Sequence, residues 1–147
     1  LDVAHAHGGV EHARDAAALL CGGEVGAHAA VEVTRRVGAR YLVAFTKSGD
    51  TARRLSRLRP SIPLLVFTPE VTTRQAMTLT WGVEAHITPD FTVQEQMVET
   101  VDAFLRERGM IEVGERIVIL SGSPMGVPGK TNNLRVHKVK AKNDIDA

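Results

Sequence analysis

From residue 24 onward, apolar and polar positions fall into two patterns that take turns along the chain. Residues 25–37 set Val25, Ala29, Val33 and Val37 at helical spacing, with Gly38 behind them as a stop. Residues 41–45, YLVAF, are an unbroken apolar run, as in a strand buried on both faces. The alternation then repeats. Residues 51–58 predict a short basic helix closed by Arg59-Pro60, and residues 64–67 a second buried strand between Pro63 and Pro69. Residues 72–80 read as helix and 83–87 as a third strand. The longest helix is expected over 91–108, where Val93, Met97, Val98, Val101, Phe104 and Leu105 form one stripe that Gly109 ends. Residues 116–120 predict a fourth strand. Over 134–139, Leu134, Val136 and Val139 alternate with Arg135, His137 and Lys138, the pattern of an edge strand.

Strands alternating with helices predict an α/β domain over residues 24–139: a mostly parallel sheet covered by helices on both faces. The last strand follows a loop without a crossover helix, so it is expected to run antiparallel to its neighbour. Ligands of such sheets sit beyond the carboxyl ends of the strands, where residues 46–51 and 121–131 fall. Residues 1–23 carry two Gly-Gly pairs and an alanine-rich patch, and a helix near 11–20 flanked by loose chain is expected there. The charged tail, 140–147, has no apolar pattern and is expected to be disordered.

Composition narrows the classes. The 147 residues fit one domain of ordinary globular make-up, 44% hydrophobic and 24% charged. A net charge of +1 and 4% aromatic residues argue against a nucleic-acid partner, and the charge also against attraction to a membrane surface. A lone cysteine, Cys21, suits a cytoplasmic setting, and no apolar run reaches the ~20 residues of a membrane span. A Leu start without a signal pattern raises the expectation of a piece of something longer.

Two stretches carry candidate chemistry. In TKSGDT, a strand feeds a Gly-containing turn and then a helix start, which offers free N–H groups and the positive end of a helix dipole. Thr46, Ser48 and Thr51 add hydroxyls, Lys47 a cation and Gly49 close approach, a set able to hold a phosphate monoester. Plain capping of the helix by Ser48 or Asp50 is the alternative, and the Asp50 carboxylate speaks for it. The second stretch, SGSPMGVPGKTNN, ends in Gly-Lys-Thr. A nucleotide P-loop would need Gly five residues before Gly129, where Pro124 stands, and a helix after Thr131, where a strand is predicted. What remains is a loop at the sheet's carboxyl edge with Gly126, Gly129, Lys130 and Thr131 available to an anion, or a plain connection.

Other features point to surface or core. His5, His7 and His12 are weak evidence for a metal, and His28, His86 and His137 lie on different elements. No nucleophile–base pair can be proposed from spacing. Arg53, Arg54, Arg57 and Arg59 suggest a solvated or interfacial helix face. Trp81 is expected to pack in the core.

Taken together, ARYLVAFTKSGDTARRLSRLRPSIPLLVFTP, then TLTWGVEAHI, then ERIVILSGSPMGVPGKTNNLRVHKV closely resemble the C-terminal domain of pyruvate kinase over residues 24–139. The resemblance implies a three-layer α/β/α sandwich whose last strand is antiparallel. It implies a regulatory and subunit-interface domain of a cytoplasmic homotetrameric glycolytic enzyme. Phosphoenolpyruvate, ADP, Mg²⁺ and K⁺ belong to a catalytic barrel that lies outside this chain, so no cofactor or metal and no catalytic residue is expected in it. By the same resemblance Thr46, Lys47, Ser48, Gly49 and Thr51 grip the phosphate of an allosteric metabolite, and the loop with Gly126, Gly129, Lys130 and Thr131 closes over it. Family members activated by fructose 1,6-bisphosphate typically carry a tryptophan and an arginine in or near that loop. Here Ser123-Pro124-Met125-Gly126 has neither, and Lys130 is the loop's only cation. A monophosphate such as AMP, glucose 6-phosphate or ribose 5-phosphate is the expected effector. The other readings are a free-standing small-molecule sensor, an enzyme acting on a phosphoester, and an assembly domain without ligand or activity.

Overall fold

The computed structural model describes residues 23–122 and 133–141. The expectations for residues 1–22, for the loop 123–132 and for the tail from 142 lie outside the described residues. The elements follow the expected alternation: α1 (Glu24–Val37), β1 (Tyr41–Phe45), α2 (Asp50–Arg57), β2 (Leu64–Thr68), α3 (Val71–Met77), β3 (Val83–Ile87), α4 (Gln94–Glu107), β4 (Arg116–Ser121) and β5 (Asn133–Lys138). The strands form one sheet in the order β3-β2-β1-β4-β5. β1 lies at its centre and pairs in parallel with β2 and β4. β3 pairs in parallel with β2, and β5 runs antiparallel to β4, with Val118 opposite Val136.

The strand runs are continuously apolar because both faces of the central sheet are covered. Leu42, Ala44, Leu64, Val66, Val118 and Leu120 point to one side, where they meet Ala27 and Ala30 of α1, Ala52 and Leu55 of α2, and Met77 of α3. Val43, Leu65, Phe67, Ile117 and Ile119 point to the other side, where Met97, Val98, Val101 and Leu105 of α4 close the second core. Helices above and below one sheet make the three-layer sandwich.

Three packing expectations are corrected. The buried face of α1 is Ala27, Ala30 and Thr34, not the Val25–Ala29–Val33–Val37 stripe, and Val25 is exposed. Small residues let the helix lie close on the sheet, while the valines border the contact. Trp81 is not a core residue: it is 50% exposed, beneath the Arg59 guanidinium at 4.3 Å from the ring centroid. On α4 the stripe holds from Met97 to Leu105, but Val93 lies ahead of the first turn and is exposed.

Candidate functional site

The turn between β1 and α2 leaves the sheet at its carboxyl edge. Thr46 N–H still donates to Phe67 O of β2 (3.1 Å), and the chain then turns away. Gly49 is the N-cap of α2, with φ 91°, in the left-handed region that favours glycine. A Cβ there would also come within 2.8 Å of Met77 Cε and 3.1 Å of Arg53 Nη1. Neither Ser48 nor Asp50 caps the helix in the expected way, since the N-cap residue is Gly49 and makes no side-chain cap bond. Instead the hydroxyls fold the turn itself. Thr46 Oγ1 accepts from Gly49 N–H (2.9 Å), and Ser48 Oγ accepts from Asp50 N–H (3.3 Å). A hydroxyl that accepts still has a proton to donate, and among the described residues neither of these two donates elsewhere.

Two side chains clamp the turn from outside. Thr73 Oγ1 of α3 donates to Lys47 O (2.5 Å), and Arg53 Nη1 reaches Ser48 O (3.2 Å) and Asp50 Oδ1 (3.3 Å). The Asp50 carboxylate, which argued against an anion, is thus turned to Arg53. Lys47 Nζ meets Asp90 Oδ2 at 2.8 Å. Asp90 lies between β3 and α4, so this ion pair ties two carboxyl-edge loops together. Thr51 is buried in the first turn of α2.

Gly126, Gly129, Lys130 and Thr131 lie outside the described residues, but the ends of their loop are placed. Ser121 ends β4 and Asn133 begins β5, and Asn133 Nδ2 stands 3.5 Å from Ser121 Oγ. Since β4 lies beside β1, with Ala44 opposite Leu120, the loop leaves the sheet next to the Thr46 turn. The first candidate stretch and the two ends of the second, about seventy residues further along the sequence, therefore share one edge of the sheet.

Asp90 and Thr73 were not foreseeable, because their contacts with Lys47 span 43 and 26 residues with no motif between them. Nor was the pairing of His137 Nε2 with buried Asp102 Oδ2 (2.7 Å), where Arg106 Nε holds the other carboxylate oxygen. That group fastens β5 to α4. The basic residues after the turn are also engaged: Arg57 pairs with Glu24 at 3.2 Å, Arg54 with the same carboxylate at 3.5 Å, and Arg59 stacks on Trp81. Among the described residues no group of three or more His, Cys, Asp or Glu could hold a metal, and no helix is long and apolar enough to cross a membrane.

Comparison with known proteins identifies the domain. Residues 24–137 match the family model described as pyruvate kinase, alpha/beta domain. The chain is 42% identical over 112 residues to the pyruvate kinase of Mycobacterium intracellulare, covering 76% of this chain and 24% of that protein. It is 42% identical over 110 residues to that of Corynebacterium glutamicum, covering 75% and 23%. It thus spans about a quarter of the length of the curated relatives it matches. Among solved structures, Cryptosporidium parvum pyruvate kinase in complex with ADP shares the fold, with a TM-score of 0.73 at 24% identity over 82% of this chain and 24% of that one.

Proposed function

Since the chain belongs to the pyruvate kinase alpha/beta domain family, we propose that it is the regulatory and subunit-interface domain of a pyruvate kinase, binding a phosphorylated metabolite at the β1–α2 turn. The phosphoryl transfer from phosphoenolpyruvate to ADP, with its Mg²⁺ and K⁺, would belong to a barrel that these residues do not form. The chain's own part is to bind and to relay.

One observation carries the reading. The Thr46 and Ser48 hydroxyls and the backbone of Gly49 gather at the start of α2, with Lys47 of the same turn paired to Asp90, beside the point where the loop of Lys130 and Thr131 leaves β4. Hydroxyl donors, a cation and the positive end of a helix match the oxygens of a phosphate monoester. With Lys130 as the only cation of residues 121–133, a second phosphate would find little to hold it. AMP, glucose 6-phosphate and ribose 5-phosphate are favoured over fructose 1,6-bisphosphate. An effector bridging turn and loop would bias the arrangement of the domain against its neighbours. A coupling of about 1–3 kcal/mol corresponds to a roughly 5- to 150-fold change in affinity for the coupled ligand.

The test is the melting temperature of this chain with each of the four metabolites. A ligand at 100 times its Kd adds about 2.7 kcal/mol, several degrees in a domain of this size. The expected result is a shift with one monophosphate that Ser48→Ala and Lys47→Ala abolish. No shift with any of them would sink effector binding by this chain and leave assembly as its role.

A further inference from the structure

A row of cations crosses the opposite, amino-terminal edge of the sheet. Tyr41 pairs with Ile117, and Arg40 N–H donates to Arg116 O (2.7 Å), which sets Arg40 directly beside Arg116 on neighbouring strands. On the other flank, Arg116 stands opposite Lys138 of β5. Tyr41 and Ile117 face the α4 core, and Arg116, just before Ile117, turns to the α1 side, where its Nη1 comes within 3.4 Å of Val37 O, while the Arg40 guanidinium stands over the ring of Tyr41. By register Arg40, Arg116 and Lys138 stand side by side on three neighbouring strands, a row of basic residues about 10 Å long at the usual strand spacing. Like charges set opposite one another in a sheet are destabilising.

Among the described residues no carboxylate pairs with any of the three. Arg116 reaches only the carbonyl end of α1, at long range, and Arg40 lies 6.0 Å from the ring of Tyr41. Glu115 is the one acidic residue that lines the groove at this end of the sheet, and its Oε2 accepts from Glu112 N–H at 3.0 Å within its own turn. The loops leading into β1, β2 and β4 enclose an open groove of about 460 Å³ here, with Arg40, Glu115 and Arg116 as its charged residues and Ile62 and Pro63 as apolar wall. That volume suits a small ligand. Guanidinium groups present paired N–H donors that fit phosphate and carboxylate oxygens.

We propose that this groove is a second anion site, at the end of the sheet opposite the β1–α2 turn, taking a small ligand with two or more negative charges on phosphate or carboxylate oxygens. Such a ligand lies across Arg40 and Arg116 and relieves the repulsion along the row. Lys138 adds to the field from β5.

The full chain at low ionic strength, with pyrophosphate and citrate as probes, tests this. Either probe at ten times its Kd should raise the melting temperature by about 3 °C. Arg40→Gln and Arg116→Gln should each weaken binding at least tenfold, whereas Lys47→Gln should leave it unchanged. Without ligand, Arg116→Gln should melt at or above the parent temperature, because the like-charge neighbours on both flanks, Arg40 and Lys138, lose their partner in repulsion. A response to pyrophosphate alone assigns the site to phosphates, and a response to citrate alone assigns it to polycarboxylates. The proposal is overturned by the absence of any shift at millimolar probe, by a shift that survives both arginine substitutions, or by one lost in Lys47→Gln, which would place the anion at the other end of the sheet.

Discussion

The Lys47 ammonium lies 2.8 Å from Asp90 Oδ2, with the two side chains 32% and 56% exposed. An ion pair that open to water contributes roughly 0–1 kcal/mol to folding, so stability does not require it. Its weight falls on the site instead, because Asp90 is an anion held where a ligand phosphate would approach. Asp90→Asn removes the competing charge and leaves Lys47 to the ligand. Isothermal titration with the monophosphate that shifts the parent melt should give an affinity up to about fivefold tighter, with the unliganded melting temperature nearly unchanged. Weaker binding in Asp90→Asn would mean that the carboxylate positions the ammonium instead of competing for it. The hydroxyls, the cation and the glycine of the turn were legible in TKSGDT, since a strand-to-helix turn presents them whatever surrounds it. The partners that set their availability were not. Asp90 comes from the loop after β3 and Thr73 from α3, and no local pattern carries either contact. Likewise, a glycine with φ 91° took the N-cap place that composition offered to Ser48 or Asp50.

At the scale of elements, strands were easier to read than helix faces. A strand buried on both sides must be apolar throughout, so YLVAF and LLVFT show themselves without any knowledge of their neighbours. For a helix the pattern gives the period but not always the phase. On α1 two buried positions are alanines, and the larger valines that border the contact draw the stripe away from them. Those alanines set how near α1 lies to the sheet: Ala27 and Ala30 are fully buried in the core with Leu42, Ala44, Val118 and Leu120. Ala30→Leu would force added methylenes into that contact. A cost of about 1–3 kcal/mol is expected, read as an earlier midpoint in urea with an unchanged slope. Val25→Ala, on an exposed position of the same helix, should shift the midpoint by no more than about 0.5 kcal/mol. If the two substitutions cost the same, the valine stripe would be the packing face after all. Trp81 was misplaced for a related reason. Its size suggests burial, but it lies against Arg59, a residue with φ 50° immediately before Pro60, and the ring serves as a platform for that guanidinium.

For the whole molecule, the arrangement of edges decides how it can join others. β1, β2 and β4 are flanked by strands on both sides, whereas β5 has no second strand neighbour among the described residues. It is anchored from behind: His137 and Arg106 grip the buried Asp102 carboxylate, and Val139 N–H donates to Glu115 O at 2.9 Å. A strand held this firmly on one side, with backbone groups open on the other, is a template for a second strand, and a two-fold axis would bring in the same strand of another copy. This is the contact expected of a subunit-interface domain. β5 begins at Asn133, directly after the loop proposed to take the effector, so a ligand held there would act on the strand that pairs. Val136, 41% exposed on β5, is the place to test it. Val136→Asp should dissociate the associated chain in sedimentation velocity and leave its melt little changed at low concentration, where dissociation has already occurred. A parent chain that sediments as a monomer at every concentration would remove β5 as an interface of the isolated domain. A parent that associates equally well with the substitution would move the contact to another surface.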